Sequence, residues 1–215
     1  MSKYIIFDLD GVIVSTDEIH YFAWKKLADR EKIYFDKKIN NRLRGVSRRD
    51  SLMIILEKSD KVHNEVEIDE MLEFKNTIYR SSLKKLSKKD ILDNFCSLFD
   101  FLRSINVKIA VASSSENAKT ILTQIGLIHI FDAIVDGTDI VKSKPDPEVF
   151  LIAAKRLKAE PKDCFVVEDA VAGIKAAKSA DMNAIAINDA KNTDLADYKI
   201  DNLLEIKDII LGGKR

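Results

Sequence analysis

Asp8 and Asp10 stand two residues apart in Phe7-Asp8-Leu9-Asp10-Gly11-Val12, directly after an apolar stretch. On an extended chain, residues i and i+2 point to the same face, so both carboxylates address one site. Gly11 lets the backbone turn sharply just beyond them. A second acidic pair, Glu168-Asp169, ends the apolar run that begins at Cys164. Ser113, Ser114 and Ser115 follow a third apolar run, 107–112, and Lys144 sits in Ser143-Lys144-Pro145-Asp146-Pro147. Four carboxylates gathered in one cleft do not all ionise without a cation between them. Hard oxygen ligands of this kind suit Mg²⁺, which keeps several waters and accepts phosphate oxygens. A serine hydroxyl and a lysine ammonium fit the remaining phosphate oxygens. A carboxylate with a free oxygen can attack phosphorus, and a second one can move a proton to or from the other oxygen. The set points to phosphoryl transfer. Plainer explanations stand beside it: a solvated turn for Asp8 and Asp10, a surface position for Lys144, and favourable N-terminal acids of a helix for Glu168-Asp169.

The elements that must position these residues follow from the apolar pattern. Residues 4–8 read as a continuous apolar strand, as in a parallel sheet covered on both faces. A helix is expected from about Asp17, with Ile19, Ala23 and Leu27 on one face. From 15 to 86 the pattern is helical throughout, with clear helical spacing over 51–57 and 68–83. Lys84, Lys85, Lys88 and Lys89 read as a solvated connection. Beyond it helices and strands alternate. Ile91, Phe95, Leu98, Phe99 and Leu102 predict one helix, then come strand 107–112, helix 118–125 stopping at Gly126, and strand 133–136. Pro147 opens a helix to about Lys158 with Asp146 as its cap, followed by strand 164–168, helix 171–180, strand 184–187 and helix 203–211. Alternation of this kind means an α/β fold: a Rossmann-like parallel-sheet core with an all-helical cap inserted after the first strand. The core is expected at 1–14 and 87–215 and the cap at 15–86. Asp8, Ser113 and Glu168 then share the carboxyl edge of the sheet, where such folds bind ligands.

Composition narrows the function classes. Of 215 residues, 46% are hydrophobic, enough for a real core and too many for a disordered chain. Lys+Arg and Asp+Glu both total 35, so the basic excess of a nucleic-acid binder is missing. No apolar run approaches the roughly 20 residues of a membrane span, and carboxylates interrupt the apolar N-terminus as they would not in a signal peptide. A cytoplasmic monomer is expected, meeting a small molecule rather than nucleic acid or membrane. Cys96 and Cys164 lie far apart with no metal-type spacing, and both read as buried small hydrophobes.

Asp8-Leu9-Asp10-Gly11-Val12 resembles the DxDG[VT] signature of the haloacid dehalogenase superfamily. Ser113, Lys144 and Glu168-Asp169 fall where that superfamily keeps its second, third and fourth motifs, and the resemblance spans the whole chain. His20-Tyr21-Phe22-Ala23-Trp24, residues 43–52 and Lys75-Asn76 with Tyr79 are similar to the cap of its β-phosphoglucomutase-like subfamily. The resemblance implies interconversion of β-glucose 1-phosphate and β-glucose 6-phosphate, with β-glucose 1,6-bisphosphate as intermediate and activator. It implies Asp8 as the phosphorylated nucleophile and Asp10 as general acid and base. Asp8, the Asp10 carbonyl and Asp169 would hold Mg²⁺, with Glu168 close by. Ser113 and Lys144, beside Ser114, would bind the transferring phosphate, and Arg48, Ser115 and Asn117 the distal one. Thr16, His20, Trp24, Arg44, Gly45, Val46, Ser51 and Lys75 would shape the sugar site and its closure. Plain structural roles remain open for several: core packing for Trp24, a solvated helix charge for Arg48, a surface position for His20, His63 and His129.

Four departures from the subfamily stand out. Ser15 replaces an Asp, Arg44 a Lys, and Asp93-Asn94 a Pro-Gly. Glu116 replaces a Lys in the distal-phosphate loop, a charge reversal, and at i,i+3 spacing it is expected to pair with Lys119. A phosphatase of the same fold and cap, acting on a small phosphorylated metabolite, is the alternative; a catalytically inactive binding module is opposed by the intact acidic set.

Overall fold

The computed structural model describes residues 3–212 of the chain. Its apolar runs become β1 (Tyr4–Phe7), β2 (Lys108–Ala112), β3 (Ala133–Val135), β4 (Cys164–Glu168), β5 (Asn183–Ala186) and β6 (Tyr198–Lys199). They form one parallel sheet in the order β3-β2-β1-β4-β5-β6. Phe7 lies opposite both Val111 and Val167, so the carboxyl ends of the three middle strands finish level. Strand order reverses at β1, which opens a crevice beyond its end.

Strand side chains alternate between two cores. Ile5, Phe7, Ile109, Val111 and Val167 pack with α5 (Phe95–Ser104), α6 (Ala118–Gln124) and α9 (Ile206–Leu211). Ile6, Ala110, Ala112, Val166 and Ala184 face α7 (Glu148–Leu157) and α8 (Val171–Ser179). Burial on both faces accounts for the continuous apolar runs. Between β1 and β2 lie α1 (Asp17–Glu31), α2 (Lys37–Asn41), α3 (Arg48–Leu56) and α4 (Glu65–Leu83). They enclose a third apolar cluster that includes Trp24, Leu27, Phe35, Leu52, Ile55, Ile68 and Met71. Asn64 and Glu67 start α4 with a reciprocal capping box, and the Ser47 side chain accepts from the Asp50 N–H at the start of α3. Among the described residues, no helix is long and apolar enough to cross a membrane.

Several expectations are corrected. Ile91 does not begin α5: it is extended and bridges Val14, and Asn94 turns the chain through φ +67° before the helix starts. The Ile91 side chain is apolar because it packs on the core, not because it lies on a helix face. Cys96 is exposed on the first turn of α5, whereas Cys164 is buried; both are free thiols. The α7 helix starts at Glu148, one residue later than expected, yet Asp146 Oδ1 does accept the Glu148 N–H at 3.0 Å. Residues 203–205 form a 3₁₀ turn before α9. The two-residue edge strand β6 carries too short a pattern to be read as a strand.

Candidate active site

Asp8 follows β1 directly, and its N–H extends the ladder to Val167 O at 3.0 Å. The buried Lys144 reaches it from the loop before α7, with Nζ 2.5 Å from Asp8 Oδ1. The same ammonium donates to Glu168 Oε1 and to Ala112 O at 3.3 Å. Lys144 is only 1% exposed, so its role as a plain surface lysine is excluded. Burial works against its charge, but Asp8 and Glu168 outweigh that and hold its pKa above the usual lysine value. One ammonium cannot balance three acids. Oxygens of Asp8, Glu168 and Asp169 lie within 4.8 Å of one another. Burial drives the Asp169 carboxyl well up, and Glu168 and Asp8 add to the rise. This is the electrostatic condition of a cation site, and buried carboxylate oxygens are the donors a hard divalent ion takes.

Asp10 turns to the other side. Its carboxylate accepts from the Thr16 hydroxyl, which in turn accepts from Tyr79 OH at 3.1 Å. Burial pushes the Asp10 carboxyl up to about 7, against the Thr16 hydrogen bond. Next to Tyr79, Lys75 Nζ lies 3.1 Å from His20 Nδ1 and over the rings of Trp24 and Tyr79 at 4.6 and 4.4 Å. Burial lowers Lys75 to about 7, and Arg48 adds to the fall. Burial likewise lowers His20, with Lys75 and Arg48 next. His20 therefore stays a neutral imidazole near neutrality, joined to the cleft rather than free at the surface.

Most of these groups line a cleft of about 730 Å³ between the helical insertion and the sheet edge. Asp8, Asp10 and Asp169 lie in it with Ser113, Ser114, Ser115, Asn117 and Lys144 from the core side. His20, Trp24, Arg44, Gly45, Val46, Arg48, Ser51 and Lys75 line it from the helical side. Trp24 does both things open to it, since it is 1% exposed within the helical cluster and also borders the cleft. Thr16 and Glu168 stand behind the lining, fully buried, and act through Asp10 and Lys144.

Arg44 forks between Asp17 at the start of α1 and Asp189 beyond β5. An ammonium does not present such a planar fork. Glu116 does not pair with Lys119. Lys119 Nζ is 2.9 Å from Asp136, and Glu116 instead meets Arg48 at the start of α3. Helical i,i+3 spacing fails there because Glu116 precedes α6, which begins at Ala118. Sequence reasoning passed over Asp17, Asn76 and Tyr79 as site residues. Tyr79 could have been found, because it falls four residues after Lys75, on the same face of α4.

Gly11 carries φ +75°, and a Cβ there would lie 2.1 Å from Asp169 Oδ2. Gly11→Ala should therefore displace Asp169 and destabilise the fold by about 1–3 kcal/mol. Thermal unfolding checks this; an unchanged midpoint would show that the turn has room to relax.

The haloacid dehalogenase-like hydrolase family model matches residues 5–187. The chain is 44% identical over 187 residues to the β-phosphoglucomutase of Bacillus subtilis, covering 86% of this chain and 83% of that one. It is 29% identical over 197 residues to a phosphorylated carbohydrates phosphatase of Thermotoga maritima, covering 87% and 88%. The crystal structure of a β-phosphoglucomutase from Clostridium difficile superposes with a TM-score of 0.92 at 39% identity, covering 99% of this chain and 96% of that one. The matched span runs from β1 through β5 and so contains both acidic pairs, the serine loop and Lys144, and on that ground the chain belongs to the haloacid dehalogenase-like hydrolase family.

Proposed function

We propose that this chain is a Mg²⁺-dependent sugar-phosphate mutase interconverting β-D-glucose 1-phosphate and β-D-glucose 6-phosphate. The observation that carries the reading is its 44% identity, across 86% of the chain, to an enzyme of that name. The geometry of the cleft supports it. Asp8 Oδ attacks phosphorus: the Asp8 O–P bond forms and the bond from phosphorus to the sugar oxygen breaks. Asp10 gives its proton to that leaving oxygen and, in the return step, takes one from the attacking hydroxyl. Lys144 and Ser113 bind the transferring phosphate, and Arg48, Ser115 and Asn117 the distal one of β-glucose 1,6-bisphosphate. Residues 15–86 serve as a cap over the core formed by 1–14 and 87–215.

Asp8, Glu168 and Asp169, with the Asp10 carbonyl, are the groups that would hold Mg²⁺. When bound, the ion offsets negative charge on the acids and on the phosphate. The Asp10 carboxylate stands outside that acidic set, already engaged by Thr16.

Hydrolysis is the second reading, favoured by one feature: Arg48 is already paired with Glu116. Product analysis separates the two. With β-glucose 1-phosphate, Mg²⁺ and a trace of β-glucose 1,6-bisphosphate, the mutase produces glucose 6-phosphate. Release of inorganic phosphate with no 6-phosphate overturns the mutase reading. Chelation of the metal should abolish turnover in either case.

A further inference from the structure

We propose that Glu116 is a specificity-determining residue, an internal anion that occupies Arg48 and must be displaced by any ligand placing a second phosphate in the outer half of the cleft. This rests on the placement of Arg48 at the distal phosphate given above. The loop that carries Glu116 is held in place. The Ser115 N–H donates to Ser113 Oγ at 3.1 Å, and the Asn117 N–H to Ser115 Oγ at 3.2 Å. Asn117 Nδ2 donates to Asn76 Oδ1 on α4 at 3.0 Å. A Cβ on Gly137 would lie 2.5 Å from Ser114 O and 2.7 Å from Glu116 N, so the end of β3 is pressed against this loop. Neighbouring charges are otherwise committed: Lys119 to Asp136, and Arg49 to Glu65.

Exposure decides which partner gives way. The Arg48 side chain is 19% exposed and that of Glu116 52%. Glu116 can rotate into water with little loss of solvation, whereas Arg48 stays in the cleft wall and needs an anion. A phosphate dianion, with more charge and three acceptor oxygens, can replace the carboxylate, but the affinity it gains is reduced by the bond it breaks. A monophosphate seated at Asp8 leaves the Arg48–Glu116 pair intact. Glu116 thus weights the cleft toward ligands with one phosphate and against bisphosphates, and it ties α3 to the core until such a ligand arrives.

Calorimetric binding of β-glucose 1,6-bisphosphate tests this on the full chain carrying Asp8→Asn and Mg²⁺, so that no turnover intervenes. Adding Glu116→Gln should tighten the bisphosphate about tenfold. In an Arg48→Gln background the same change should alter affinity by less than about twofold. An unchanged affinity overturns the proposal, as does absence of binding in both chains. A gain equally large without Arg48 also overturns it, because the effect would then be general charge repulsion. Glu116→Ala repeats the measurement without an amide at the site. Absence of binding also removes the distal-phosphate placement on which the proposal rests, whereas a measurable but unchanged affinity overturns the proposal alone. Product analysis of the wild type decides separately whether it is a mutase.

Discussion

Asp8→Asn should lower turnover by about 10⁴-fold or more while the fold persists. The substitution keeps the shape of the side chain and removes the anionic oxygen that attacks phosphorus. The neighbourhood should tolerate it. Lys144 keeps Glu168 as a charged partner and Ala112 O as an acceptor. The Asp8 N–H still bonds to Val167 O, since that bond belongs to the backbone. Steady-state turnover checks the rate, and phosphate incorporation into the chain checks the bond. The wild type should label on the residue 8 side chain and the variant should not. A variant keeping more than a few per cent of wild-type turnover would exclude Asp8 as the nucleophile.

Asp10→Asn should lower transfer to and from sugars by about 10²- to 10⁴-fold, the usual worth of a positioned acid–base group. A residue that alternately gives and takes one proton works best when both forms are populated. Burial sets this up, because it raises the Asp10 carboxyl to about 7. The acid form prevails below that value and the carboxylate above it. Thr16, itself held by Tyr79, keeps the group pointed. The informative comparison is between two phosphoryl donors. Sugar phosphates need their leaving oxygen protonated; acetyl phosphate does not. Labelling of Asp8 by acetyl phosphate should therefore survive Asp10→Asn far better than turnover of sugar phosphates. Equal losses with both donors would mean that the Asp10 side chain serves the attack of Asp8 on phosphorus itself, not proton transfer at the sugar oxygen.

Local physics made much of this protein legible without coordinates. A strand buried on both faces must be apolar at every position, so β1, β2 and β4 stood out as continuous runs. The acids and serines that end such runs must share one sheet edge, because parallel strands finish together, and Lys144 joins them from the loop before α7. Asp8, Lys144 and Glu168 could thus be grouped before their contacts were seen. Where the local signal was short or ambiguous, reading failed. The Ile91 side chain has the same character on a core-facing bridge as on a helix, and only Asn94 at φ +67° marks the break. The two residues of β6 exist as a strand because β5 offers a free edge beside them. Tertiary structure alone decided the charge partners. Arg48 and Glu116 are 68 residues apart, and Arg44 and Asp189 are 145 apart. Residue type and spacing along the chain specify which groups can carry charge and which face they leave. Which opposite charge each one meets depends on how the helical insertion lies across the sheet edge, and that is set by burial of its apolar faces, not by any pattern in the charged residues themselves.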